Sequence, residues 1–395
     1  MRFTISVGSE FEWPHEAQTN PKVDPNGAPM IESRATGVVY RNPTPGLRSI
    51  NAWHPSIIVM DDGELISTFD LAESAESLDY RTYIARSTDA GQSWTTPSPL
   101  FNDVVSRRST HSARISRVKD GSLVAFGARA YRDDPDVGIV NHETLGFVPT
   151  DLFTLRSCDG GHTWEGPRTI DPPLIGPSFE VCHRIIELHD GRWLAPTATW
   201  KGWNGEAPNG MKAIALVSHD HGATWPEYLD ILDQYDRGFI SWEQSLVQLP
   251  DERLLGVAWA YNENSGRTAP TPYVLSHDGQ TFSSPQPTGL HGQTTKLHVL
   301  SDGRILCVYR RDDQPGLWAN VARLDGDAWI NVEELLIWGG AESGMAGLGR
   351  GADELVDLKF GFPSMVTLPD GEIFTVFWCQ EDGVNNIRWY RIRVS

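Results

Sequence analysis

The sequence predicts an all-β fold, a six-bladed β-propeller, on three observations. A Ser-x-Asp turn closed by an aromatic residue is written four times, a strand–turn–strand unit is written six times, five with Asp-Gly and one with Asp251-Glu at the turn, and helical periodicity is missing. A turn repeating at a spacing of roughly 60 residues suits stacked four-stranded units.

The four turns are Ser87-x-Asp89-x-Gly91-x-x-Trp94, Ser157-x-Asp159-x-Gly161-x-x-Trp164, Ser218-x-Asp220-x-Gly222-x-x-Trp225 and a shortened Ser276-x-Asp278-Gly279-x-x-Phe282. The Asp carboxylate accepts backbone N–H groups of its own turn, and the Gly permits a positive φ. The aromatic ring folds back as a plug. Such turns fasten a hairpin at the rim, so their aspartates read as structural.

The six strand–turn–strand units begin at His54, Ser112, Cys182, Glu243, Thr294 and Phe362 and turn at Asp62, Asp120, Asp190, Asp251, Asp302 and Asp370. Each predicts the innermost strand of one blade and its hairpin. The run Ile387–Val394 ends the last blade, and a strand near Val38-Val-Tyr40 is expected to close the ring and remove free edges. The expectation is one domain over 1–395, with an extension at 1–37 and the propeller from 38. Segments 131–150, 201–210 and the Gly-rich 339–351 lack strand grammar and read as loops over one mouth. Gly347-Leu-Gly-Arg-Gly351 is not a phosphate loop, since no Lys-Ser/Thr follows.

A net charge of −19 argues against nucleic acid and anionic membranes as partners, so an acidic ligand would need a locally basic site. Four cysteines (158, 182, 307 and 379) without close pairing read as free thiols. The opening Met1-Arg-Phe-Thr-Ile-Ser-Val-Gly8 has no apolar run of the signal-peptide kind, and no later stretch approaches a membrane span. Together these predict a cytoplasmic protein. No cofactor is expected, and no histidine spacing supports a metal.

Aligning the six strands on their turns ranks positions by depth. Five residues before the turn Asp every strand is apolar: Ile57, Ile115, Ile185, Leu246, Leu297 and Met365. Six before stand Ser56, Arg114, Arg184, Ser245, Lys296 and Ser364; eight before stand His54, Ser112, Cys182, Glu243, Thr294 and Phe362. Polar layers above an apolar one predict a functional funnel. Arg114, Arg184 and Lys296 form a cationic trio suited to a carboxylate. Glu243 is the candidate base or nucleophile and His54 the candidate proton shuttle. Asp79, Glu76 and Glu180 are candidates for the second carboxylate that glycoside hydrolysis needs. Trp53, Trp259, Trp242 and Trp200 are candidate sugar platforms or inter-blade packing. His111 and His183 sit one residue out of register.

The four turns are Asp boxes, and with Trp242-Glu243-Gln-Ser-Leu-Val-Gln-Leu-Pro-Asp251 they resemble the sialidase superfamily over residues 50 to 395. The resemblance implies a sialidase-like six-bladed propeller, a Glu243 that activates a nucleophile, and an acid/base Asp from the loop holding Asp79. It breaks where the family's nucleophilic Tyr becomes Phe362, and where two carboxylate-binding arginines become Trp53-His54-Pro55 and Trp259. Exo-acting arabinanases of this fold resemble the same plan and use paired glutamates, which casts Glu180 with Glu243. The resulting expectation is an exo-acting glycoside hydrolase acting on an anionic or plant-type oligosaccharide. The alternatives are a uronic-acid lyase using His and Arg, and a non-catalytic glycan-binding propeller.

Overall fold

A computed structural model describes residues 30–44, 46–103, 106–311, 313–314, 316–340, 359–381 and 383–395. The Gly347–Gly351 run and the extension before residue 30 lie outside the described residues.

Six antiparallel sheets each start on an inner strand: Asn51–Val59, Ser109–Arg117, Ser178–Glu180 continued by Ile186–Glu187, Phe239–Gln248, Gly292–Val299 and Phe360–Thr367. The next three strands of each blade follow outward in chain order, so every hairpin is local. The sixth blade is the exception. Its outermost strand is Ile31–Tyr40, which pairs antiparallel with Val384–Val394 from Ile31↔Val394 to Tyr40↔Ile387. N-terminal chain thus locks C-terminal chain, as the closure argument requires, and the strand starts ahead of the expected boundary at 38.

Apolar clusters fill the gap between each pair of successive blades. One joins Trp53 and Phe69 of blade one to Phe374 and Trp389 of blade six; another joins Leu255 of blade four to Leu297 and Tyr309 of blade five. The predicted apolar layer is buried in all six strands, with Ile57, Ile115 and Leu246 fully so.

The serines six residues before each turn have a job that sequence did not suggest. Ser56 Oγ accepts Ile115 N–H of the next blade (3.2 Å), Ser245 Oγ accepts Leu297 N–H (3.0 Å), and Ser364 Oγ accepts Ile57 N–H (3.2 Å). Inner strands of neighbouring blades splay too far for a backbone ladder, and a short hydroxyl bridges the gap.

The four Ser-x-Asp turns share one bonding pattern. Ser87 Oγ donates to Asp89 Oδ1 (2.8 Å), while Ser93 N–H and Oγ–H donate to Asp89 Oδ1 and Oδ2 (2.9 and 2.5 Å). Thr163, Thr224 and Thr281 play the Ser93 part in the other turns. Gly91 has φ +89°, and a Cβ there would stand 2.7 Å from the Phe374 ring, so both conformation and space demand glycine.

Candidate functional site

Four of the six inner strands carry a β-bulge at one level. Trp53 pairs Asp70 and Ser56 pairs Thr68, leaving two residues opposite one; the same break lies at 243–244, 294–295 and 362–363. The first residue of each bulge is left-handed: His54 (φ 48°), Glu243 (47°), Thr294 (52°) and Phe362 (54°). A left-handed β-branched Thr is a genuine outlier, and each such residue costs about 1–3 kcal/mol. Strain stacked at one depth on four blades re-aims four side chains toward the axis, as bulges do beside functional sites.

Around blade one the bulge feeds a polar cluster. His54 Nδ1 lies 2.7 Å from Tyr80 Oη and 3.3 Å from Asp70 Oδ2, and Tyr80 donates to Asp70 Oδ2 (3.0 Å). The fully buried Asp70 also accepts from Thr82 (2.7 Å), Ser112 (2.6 Å) and Arg114 (3.4 Å). Burial alone would raise the Asp70 pKa; Arg114, His54 and Ser112 outweigh it and hold the carboxyl below its ordinary value. The network is satisfied when His54 Nδ1–H donates to Tyr80 and Tyr80 donates to Asp70, a tautomer assigned from the bonds. Burial, reinforced by Arg114, lowers the His54 pKa and favours that neutral ring. Nε2 is then the lone-pair nitrogen, on a side chain 36 % exposed at the funnel.

The second half of the site spans blades three and four. Glu243 N–H points at Glu180 Oε2 (3.4 Å), so the bulge brings the two glutamates together. Burial pushes the Glu243 carboxyl up to about 7; Arg310 pulls against that rise and the Glu180 charge adds to it. Glu243 Oε2 is buried with no hydrogen-bond partner among the described residues. Burial raises Glu180 as well, opposed by Lys296 and by the Cys182 thiol. Lys296 Nζ is tethered to the Glu243 and Gln244 carbonyls (3.2 and 2.8 Å).

Phe362 stands at the centre. Its ring meets His54 edge-on at 4.8 Å, with Arg114 Cζ 4.9 Å and Lys296 Nζ 5.0 Å from its centroid. An apolar ring with cations around it fills the place where the resemblance puts a Tyr, and it carries no oxygen.

The structure thus gathers Glu243, Glu180, His54, Arg114, Lys296 and Phe362, and places the other sequence candidates elsewhere. Asp79 is exposed and is used by its own loop, accepting Glu73 N–H (3.1 Å) and Ser77 Oγ–H. Glu76 accepts Val140 N–H (3.1 Å) and ties down the 131–150 loop. His111 is buried against Phe101 and Phe153, and burial lowers its pKa to about 4, as expected of a core histidine. Trp53 stacks on Tyr80 (5.7 Å), and Trp259 stacks on Trp242 (4.4 Å) while donating to Thr268 (3.1 Å); all are buried and brace the site from behind. Arg184 lies deeper, donating to the Ile57 carbonyl (3.3 Å).

Asp70 and Arg310 lie on the second strands of blades one and five, and Tyr80 just ahead of the third strand of blade one, so none falls on the six inner strands that the sequence pattern aligns. Cross-strand pairing to the bulge was the available signal: Trp53↔Asp70 and Gln293↔Arg310 occupy equivalent rungs. Segments 131–150 and 201–210, loops of blades two and three, join through Phe147 N–H to Lys201 O (3.0 Å) and Trp200 Nε1–H to Leu145 O (2.8 Å).

Residues 137–375 match the model of the BNR repeat-like domain. No curated protein matches the chain. Among solved structures, a Dyadobacter fermentans protein of unknown function is 19% identical with a TM-score of 0.70, covering 93% of this chain and 100% of that one. The Penicillium chrysogenum α-L-arabinanase complexed with arabinobiose is 16% identical (TM-score 0.64, 92% and 99% covered). The Ruminococcus gnavus intramolecular trans-sialidase is 15% identical (TM-score 0.59, 87% and 94% covered). At such identities the likeness is one of fold. The chain belongs to the BNR repeat-like domain family and is a sialidase-like six-bladed propeller.

Proposed function

We propose that this protein is an exo-acting glycoside hydrolase that retains anomeric configuration, with Glu180 as nucleophile and Glu243 as acid/base. The observation that carries this reading is the adjacency of the two glutamates, both raised by burial, with the Glu180 charge pushing the Glu243 carboxyl up further. Retaining enzymes need carboxyl groups about 5–5.5 Å apart, close enough for one to attack the anomeric carbon. In the first step Glu180 forms a bond to that carbon as the glycosidic C–O bond breaks, and Glu243 gives its proton to the departing oxygen. In the second, the Glu243 carboxylate takes a proton from water, whose oxygen displaces Glu180.

His54 Nε2 accepts a hydrogen bond from a sugar hydroxyl in this reading, held in place by Tyr80 and Asp70. In this reading the joined segments 131–150 and 201–210 limit chain extension on one side, which favours attack at an end. Arg114 is committed to Asp70, and Lys296 to two carbonyls. That favours a neutral, plant-type glycan over an anionic one.

The test is incubation with arabino-oligosaccharides and aryl furanosides and pyranosides, following the first-formed anomer by proton NMR. Retention, lost in Glu180→Gln, supports the assignment; inversion, or turnover unchanged in that variant, overturns it. The His54–Tyr80 pair beside Arg114 also favours a second reading, proton abstraction next to a uronate carboxylate. An unsaturated, ultraviolet-absorbing product from uronate oligosaccharides would select it.

A further inference from the structure

Below Phe362 the axial tunnel narrows to a cavity of about 40 Å³. Arg114, Arg184 and Lys296 reach it from blades two, three and five, together with His183, Ser245 and Ser364. No carboxylate lines it, although the chain has 52 acidic residues against 33 basic ones. Arg114 is paired with Asp70, but among the described residues neither Arg184 nor Lys296 has a carboxylate within ion-pair distance. A desolvated cation without a counter-charge is costly, and Arg184, lowered by burial with no acidic partner among its causes, is that cation; the Lys296 charge is answered in part by Glu180 and Glu243. Ser364 Oγ accepts from Ile57 N–H and so keeps its own proton to donate.

Size decides what this throat takes. One water-sized sphere needs roughly 10–15 Å³, so the cavity holds about three. A cavity of that size takes a small ion whole, whereas a sugar ring would have to stay outside it. The histidines sense the same field. Burial and then Lys296 lower the His183 pKa to about 3, and burial and then Arg184 lower the His298 pKa to about 4. Both rings are therefore neutral near pH 7, and the positive charge at the throat is that of the arginines and Lys296.

We propose that this throat is a binding site for one small monovalent anion of the halide class, held by Arg184, Lys296 and the Ser364 hydroxyl. The proposal stands apart from the catalytic reading, since its readouts need no substrate. Chloride replaces gluconate at constant ionic strength while the unfolding temperature is followed. A saturable rise of roughly 3 °C is expected in the wild type, as for a ligand binding only the folded state. Arg184→Met abolishes the rise and Arg184→Lys weakens it. Crystals grown in bromide show an anomalous peak between Arg184 and Lys296. Equal unfolding temperatures in the two salts, or a full chloride response in Arg184→Met, overturn the site. Should Arg184→Met fail to fold, the wild-type crystal decides, and bromide confined to the outer surface overturns it.

Discussion

Two sets of carboxylates in this molecule sit at opposite electrostatic extremes. At the rim, Asp89 and Asp220 are drawn down to about 2, chiefly by hydroxyl and backbone donors of Ser93 and Thr224. At the axis, Glu243 is pushed up to about 7 by burial and carries an oxygen with no donor. The chemical group is nearly the same and the surroundings differ. A carboxylate given three or four donors is a staple; one desolvated beside another carboxylate is an acid held ready. The difference separates the motif that announces the fold from the residues to which we assign the chemistry.

Breaking the axial set should have the largest effect. Glu180→Gln and Glu243→Gln are each expected to lower kcat/KM by about 10³–10⁴-fold with the fold retained, measured on whichever glycoside the panel identifies. The double variant should lose little more than either single one, because the two act as a unit.

The pH profile sharpens the contrast. Glu243 must hold its proton, so kcat/KM should fall as pH rises through about 7. Lys296 lowers both glutamate pKa values, so Lys296→Met should move that alkaline limb to higher pH. A limb that stays put would remove Lys296 from the electrostatics of the pair.

Stability should respond in opposite senses. The Asp220 pKa is depressed, so its stabilisation is present above the unfolded value near 3.8 and is lost as pH falls toward 2. Asp220→Asn should lower the unfolding temperature at pH 7 by roughly 3 °C while leaving activity per folded molecule intact. Glu243 is raised, so the native state binds the extra proton and stability falls as pH climbs from 4.5 through 7. Glu243→Gln should therefore raise the unfolding temperature at pH 8 by about 3 °C while abolishing turnover. The smallest effect belongs to Asp79→Asn, expected within about twofold of wild-type kcat/KM, because that carboxylate serves its own turn.

The fold was legible because its signals are local. Turn chemistry repeats within eight residues, and the six hairpins, five Asp-Gly and one Asp-Glu, align the inner strands without any knowledge of tertiary contacts. The apolar layer at Ile57 through Met365 followed from strand alternation alone. The site was legible in part. Glu243 and His54 stood out by position, and Glu180 appeared only as one of several acids, since its strand breaks after residue 180. The bulges were hidden, because a left-handed His, Glu, Thr or Phe leaves no compositional trace where a Gly would have. The serines line the axial cavity as read, but their bonds to the next blade were hidden, since those partners lie one blade away. The hydroxyl residues at 93, 163, 224 and 281 passed as unspecified positions although they bind the turn aspartates.

The central claim is that Glu243 keeps its proton up to about pH 7 because it is buried beside Glu180. Its most direct test is a carboxyl-carbon NMR titration of Glu243, in wild type and in Glu180→Gln, without substrate. The account predicts a midpoint near 7 that drops when Glu180 loses its charge. A midpoint near 4.5 in the wild type, or one indifferent to Glu180→Gln, would contradict it.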